Sequence, residues 1–543
     1  MLYASNHLQI DIPQADNLQA GGPQAAGTTS SYASPSQPQI DYPYTGDYRI
    51  DALLEGLDGQ TGLDALKFRW NPDAPLGAPV TVTYSFMTLK PYYGGTDDGQ
   101  GDTGFSQFTP QQQAAVRQIL GQLQSELGIS FSEVSDSAFS YGQIRFGDNT
   151  QQYSSGYTWL PDGTDLGGDV WIAANANGNL NPVRGSDAWS TLIHEIGHSL
   201  GLKHPGNYNA GTVTTPQPGN YLGTLEDNFN YTVMSYNDVA GGQVRDWYGM
   251  YDLLTLKKLY GADPAYGAGD TVYSFGNSAG RNLEIIDDAS GFDTLDLSAL
   301  TVDSTVDLRP GAFSSVGLNF TVAAVNNLSI DLQTAIEKFI GSSHNDSVMG
   351  NDAANVFALG AGTNSADGGA GIDKVLYTGP RAGFQVNLSN GSVHITSASA
   401  SDTLANVERV EFADQKLAFD ISGDAGIVAK VIGAVFGAGA VAARPDYVGI
   451  GLSLVDGGTS YASLAQFALD YRLGAHSNGD VVTLLYTNVA QTAPSASTYA
   501  SYVGQLDSGA QTQASLGVYA ADHFLNTAHI DLVGLAQTGL AYT

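Results

Sequence analysis

A chain of 543 residues is too long for one ordinary domain and predicts three or four units. Asp and Glu number 54 against 21 Lys and Arg, a formal charge of −33, which argues against nucleic acid and anionic membrane surfaces as partners and suits a calcium-binding protein. No cysteine is present, which excludes disulfides and thiolate metal sites, so stability must come from cores or from metals held by other donors.

The segment Met1–Ile10 lacks the basic start and continuous apolar core of a signal peptide, so Sec export is not expected. Residues 1–45 are rich in Gln, Ser, Pro, Gly and Ala and cannot bury a core. They read as a propeptide or secretion-related leader, or as a plain disordered terminus. From Tyr48 the pattern becomes globular. Residues 79–86 alternate as a strand does, and Thr109-Pro-Gln-Gln112 opens a helix with a capping residue, a first-turn proline and a third-position glutamine. That helix is expected to run to about Leu127, with Ala115, Ile119, Leu120 and Leu123 as ordinary core. Short strands are expected over 129–134, 143–146 and 169–173, ahead of a helix capped by Ser186.

That next helix carries the pattern H-E-x-x-H-x-x-G-x-x-H between Thr191 and Pro205, a zinc protease signature. His194 and His198 stand one turn apart and face the same side, so both imidazoles can reach one metal ion. Gly201 can take the positive φ that stops the helix and turns the chain back, which lets His204 supply a third nitrogen. Three protein ligands leave a fourth position for water, the mark of a catalytic rather than a structural zinc. Glu195 is placed to act as general base. Downstream, Tyr231-Thr-Val-Met-Ser-Tyr236 is similar to the Met-turn of metzincins, with Met234 under the metal. Residues 252–261 read as a helix that ends at glycine and closes this domain.

On these motifs the chain resembles the serralysins, bacterial secreted zinc endopeptidases of the metzincin group, over roughly residues 46–420. The resemblance implies that Tyr236 offers its phenol to zinc or to the reacting carbonyl, and that an extended protein substrate lies beside an edge strand. It also implies calcium. Gly368-Gly-Ala-Gly-Ile-Asp373 matches the repeat G-G-x-G-x-D, whose turns bind calcium in a parallel β-roll, with Gly368, Gly369, Gly371 and Asp373 as candidate ligands. Residues 340–348 form a worn copy with Asp346 as a candidate ligand, although Ser342 and His344 replace glycines, and Asn364 stands where a third copy needs aspartate. A short roll with one or two ions is expected; a β-sheet domain with glycine turns and no metal is the other reading.

After Gly423 the chain turns alanine-rich, with short helices expected over 425–441, 461–471, 481–488, 497–506 and 511–520. This tail is similar to a small helical domain of bacterial secreted and surface-layer proteins. The resulting plan is an α+β chain: a leader over 1–45, a zinc protease domain over 46–262, a calcium-type β-roll over 263–420 and a helical domain over 421–543. Its expected function is a secreted zinc endopeptidase, exported without a signal peptide by a type I secretion apparatus and acting on protein or peptide substrates. The alternative is a surface-associated or adhesive calcium-binding protein, its protease domain regulatory, with cell-surface or S-layer proteins as partners.

Overall fold

Two different sheet architectures organise the chain, and each follows from the burial its residues demand. The computed structural model describes residues 9–13, 35–57, 59–91, 103–151, 154–208 and 218–543. They fall into two units, one built from residues 1–271, 275–291 and 310–334, the other from 272–274, 292–309 and 335–543.

The first unit holds a mixed seven-stranded sheet made of β1 (Gln9–Pro13), β2 (Val80–Phe86), β3 (Thr103–Ser106), β4 (Ile129–Glu133), β5 (Ile144–Thr150), β6 (Ser154–Trp159) and β7 (Val170–Ala173). Their order is β1-β6-β7-β5-β2-β4, with β3 added to β5. The core run β7-β5-β2-β4 is parallel, and β5 and β7 are buried along nearly their whole length, as strands covered on both faces must be. At one side β6 runs antiparallel to β7, and β1 runs antiparallel to β6.

Three α-helices of more than four residues belong to this unit among the described residues. The first, α1 (Pro110–Glu126), forms as its sequence predicts: the Thr109 hydroxyl accepts from Gln112 N–H at 3.1 Å, and Gln112 Oε1 accepts from Thr109 N–H at 2.8 Å. The second, α2 (Asp187–Ser199), starts at the Ser186 cap and is buried from Ala188 to its end, its polar residues His194, Glu195 and His198 included. Tyr248 ties its middle to the third, α3 (Met250–Tyr260), donating its hydroxyl to the Ile193 carbonyl at 2.8 Å.

The second unit is dominated by parallel strands stacked coil over coil. One stack runs through residues 272–274, 294–296, 338–340, 356–358, 374–376 and 409–411; the other through 304–307, 346–349, 362–367 and 400–405. Successive strands alternate between the stacks, so equivalent positions recur every 18 residues in the middle coils. Phe339, Phe357 and Val375 fill one side of the interior, with Val348, Ala366 and Leu404 on the other. Nine helices follow between Asp424 and Thr538, and strand 540–542 returns to pair with 416–418.

Expected helices over 461–471, 481–488, 497–506 and 511–520 are found, each shifted or extended by up to three residues. The stretch 425–441 is not one helix: Gly437, at φ 89°, ends the first at Phe436 before a second spans Gly439–Ala443. The helix Pro445–Asp456 lies outside the sequence expectation, because a proline reads as a breaker although it is well suited to the first helical turn. Among the described residues no helix is long and apolar enough to cross a membrane.

Candidate metal centre

α2 delivers His194 and His198 to one side, and the chain then reverses at Gly201, whose φ of 101° suits glycine. A Cβ there would also meet the Phe68 carbonyl oxygen at 2.5 Å, so the turn demands glycine twice over. The reversal brings His204 back, and its Nε2 lies 3.1 Å from His194 Nε2 and 3.2 Å from His198 Nε2. Their candidate ligand atoms lie within 4.8 Å of one another, and all three rings are buried.

The opposite nitrogens explain this convergence. His194 Nδ1–H donates to the Val233 carbonyl at 2.7 Å, His198 Nδ1–H to Leu202 at 2.7 Å and His204 Nδ1–H to Tyr208 at 3.1 Å. Each backbone carbonyl fixes its ring as the Nδ1-protonated tautomer, so the three Nε2 lone pairs face a common point. Burial pushes the His194 imidazole down to about 3 and His198 well below its usual value, which keeps both neutral. Three imidazoles that turn their Nε2 atoms to one point, with no thiolate among them, fit the donor set of a zinc site with an open coordination position.

The other expected residues gather round this point. Glu195 is buried, and its Oε2 accepts from the Thr158 hydroxyl of β6 at 2.7 Å. Gly156 lets that strand pass close: a Cβ there would come within 2.8 Å of Glu195 Cγ. Met234 is buried beneath the helix, with its sulfur against Gly197. Tyr236 packs its ring 4.4 Å from that of His204 and 4.7 Å from that of Tyr208, centroid to centroid.

Several residues that hold the site escaped the sequence reading. Asp252 accepts from Thr232 Oγ1 at 2.5 Å, Val233 N–H at 2.7 Å and Gly249 N–H at 2.7 Å, and so clamps the turn that presents the Val233 carbonyl and Met234. Tyr208 donates its hydroxyl to Asp227 at 2.7 Å and accepts from Tyr236 N–H at 3.2 Å, joining the third histidine's carbonyl partner to the turn that follows Met234. The one local signal was the third-position aspartate of α3, a capping pattern. Of the expected calcium ligands, Gly369 and Gly371 adopt φ of 92° and 107° in the turn that Gly368 and Asp373 bound.

Comparison with known proteins finds serralysin-related sequences. Residues 262–379 match the family model described as Peptidase M10 serralysin C terminal. The chain is 34% identical over 322 residues to serralysin of Proteus mirabilis, covering 53% of this chain and 62% of that one. It is 33% identical over 304 residues to metallopeptidase AprA of Pseudomonas marginalis, covering 51% and 61%, and 31% identical over 309 residues to serralysin B of Dickeya chrysanthemi, covering 52% and 62%. The chain thus spans about three fifths of the length of these curated relatives, and over that span it is serralysin-like.

Proposed function

From this likeness to the serralysins we propose that the chain is a secreted zinc endopeptidase of metzincin arrangement, with His194, His198 and His204 as metal ligands. The observation that carries the reading is the convergence of three Nε2 atoms whose Nδ1 partners are all backbone carbonyls. Zinc held there supplies Lewis acidity towards a peptide carbonyl and lowers the pKa of water to near neutrality. The rest of the chemistry falls to the protein. Glu195, oriented by Thr158, accepts a proton from the attacking water and returns it to the departing amine. The Tyr236 phenol stabilises the charge that grows on the carbonyl oxygen.

Strand β6 is the backbone edge that would bind an extended substrate, and pairing through main-chain groups accepts many sequences. This edge is already taken in cis. Gln9–Pro13 pairs antiparallel with it, Ile10 opposite Thr158 and Ile12 opposite Gly156, the two β6 residues that touch Glu195. The arrangement supports reading residues 1–45 as a propeptide whose strand occupies the substrate's place; residues 1–8 and 14–34 lie outside the described residues. Glu195→Ala tests both ideas. The variant should bind zinc as wild type does, lose nearly all cleavage of an unfolded protein and keep its N-terminal segment, while wild type removes it. Undiminished cleavage by Glu195→Ala rules the mechanism out.

A further inference from the structure

The family likeness implies calcium in the glycine turns of the second unit, and the side chains closing those turns decide whether calcium fits. Both Asp346 oxygens are engaged: Oδ1 accepts from Ser304 Oγ at 2.5 Å, and Oδ2 accepts from the Ser342 N–H and hydroxyl at 2.6 and 3.0 Å. One coil on, Asn364 Oδ1 accepts from the Asp346 N–H at 2.9 Å, while its Nδ2 donates to Asp402 Oδ1 at 2.9 Å. The other Asp402 oxygen takes the Tyr377 hydroxyl at 2.7 Å. An amide N–H therefore points at the carboxylate that a cation would need.

The opposite column repeats the device. Asn351 N–H donates to Asn355 Oδ1 at 2.8 Å, Asn355 N–H to Asp373 Oδ1 at 2.7 Å and Asp373 N–H to Glu408 Oε2 at 2.8 Å. The Asn355 amide nitrogen donates to the Ile336 carbonyl at 3.0 Å. Calcium takes about six to eight oxygens; here the side-chain oxygens of the two columns, Asp373 Oδ2 apart, are engaged by N–H and O–H donors. Among the described residues of the two columns, the buried side-chain oxygen without a partner is Asp373 Oδ2, in the one turn that keeps the full glycine pattern.

We propose that this roll is a hydrogen-bonded stack rather than a calcium-bonded one: its two side-chain columns cap the backbone N–H groups of neighbouring coils, and it binds no more than one calcium ion, at Asp373. Asn364 is then the residue that makes the Asp346–Asp402 column independent of metal, since an aspartate there would set two buried carboxylates against each other.

The test uses the full chain as Glu195→Ala, so that self-cleavage does not interfere and the protease reading is not at stake. Bound calcium is counted by equilibrium dialysis, and melting is followed by circular dichroism in EGTA and in about 1 mM calcium, where a tightly held structural ion would raise the midpoint by roughly 5–10 °C. The parent should bind at most one ion, keep its β signal in EGTA and shift by less than about 2 °C. Two or more ions, or loss of the β signal on chelation, overturns the proposal. Adding Asn364→Asp should lower the midpoint in EGTA and restore it with calcium; a melt unchanged by both overturns the role given to Asn364. If that variant does not accumulate folded, Asp346→Asn carries the test: an unchanged ion count supports the hydrogen-bonded column, and a lost ion overturns it.

Discussion

Asp252 offers the sharpest test of how the metal centre is built. It is buried within the first turn of α3 and receives two backbone N–H groups and one hydroxyl. Asp252→Ala strands all three. Leaving a buried donor unsatisfied costs about 1–3 kcal/mol each, so the variant should lose roughly 3–9 kcal/mol of stability in the unit that carries α2. Asp252→Asn separates geometry from charge. Its carbonyl can accept both N–H groups and its amide can donate to Thr232 Oγ1, so the loss should stay near 1 kcal/mol. The effect should reach the metal too, because Val233, whose N–H Asp252 holds, presents its carbonyl to His194 at 2.7 Å. Groups behind a metal ligand are worth roughly 10–100-fold in affinity. Urea unfolding and zinc competition against a chromogenic chelator measure the two effects. An Asp252→Ala protein within about 1 kcal/mol of wild type and with unchanged zinc affinity refutes the clamp.

Two further outcomes follow from the same geometry. Thr158→Val removes the bond that orients Glu195 and should lower kcat/KM about tenfold with zinc content unchanged, as read by peptide cleavage and metal analysis; loss of zinc instead would contradict the assignment of Thr158 to the base. Burial pushes the Glu126 carboxyl up to about 7, so the folded chain holds its proton longer than the unfolded one, and this group's contribution to stability falls as pH rises from about 4.5 to 7. Glu126→Gln should therefore gain roughly 2–3 kcal/mol relative to wild type between pH 5 and pH 8 in urea unfolding of the metal-free proteins, and parallel pH profiles would dismiss that burial effect.

The features legible in the sequence are those whose physics is local. The capping box of α1, the one-turn spacing of His194 and His198 and the reversal at Gly201 each need only a few neighbouring residues. Strand β6 was not legible, because Ser-Ser-Gly-Tyr-Thr-Trp is buried at every position and so shows no alternation. Tyr208 acts on partners brought near by the fold and nothing in its immediate neighbours marks that work, while the capping position of Asp252 does not reveal its hold on Thr232 and Val233. In the roll, the asparagine at 364 was visible as a departure from the repeat. Its bridge between Asp346 and Asp402 depends on a register that only the stacked coils define.

The metal centre and the roll use the same kind of bond with opposite results. At the histidines, backbone carbonyls engage the Nδ1 side of each ring, and the Nε2 lone pairs are left converging on one buried point. In the roll, backbone N–H groups, hydroxyls and an amide engage the side-chain oxygens themselves, so the side-chain atoms a cation would bind are largely spent. Acidic residues at repeat spacing therefore do not by themselves make a calcium site. What decides is whether the surrounding chain supplies donors to the oxygens or leaves them bare, and Asp373 Oδ2 is where the two columns leave one bare.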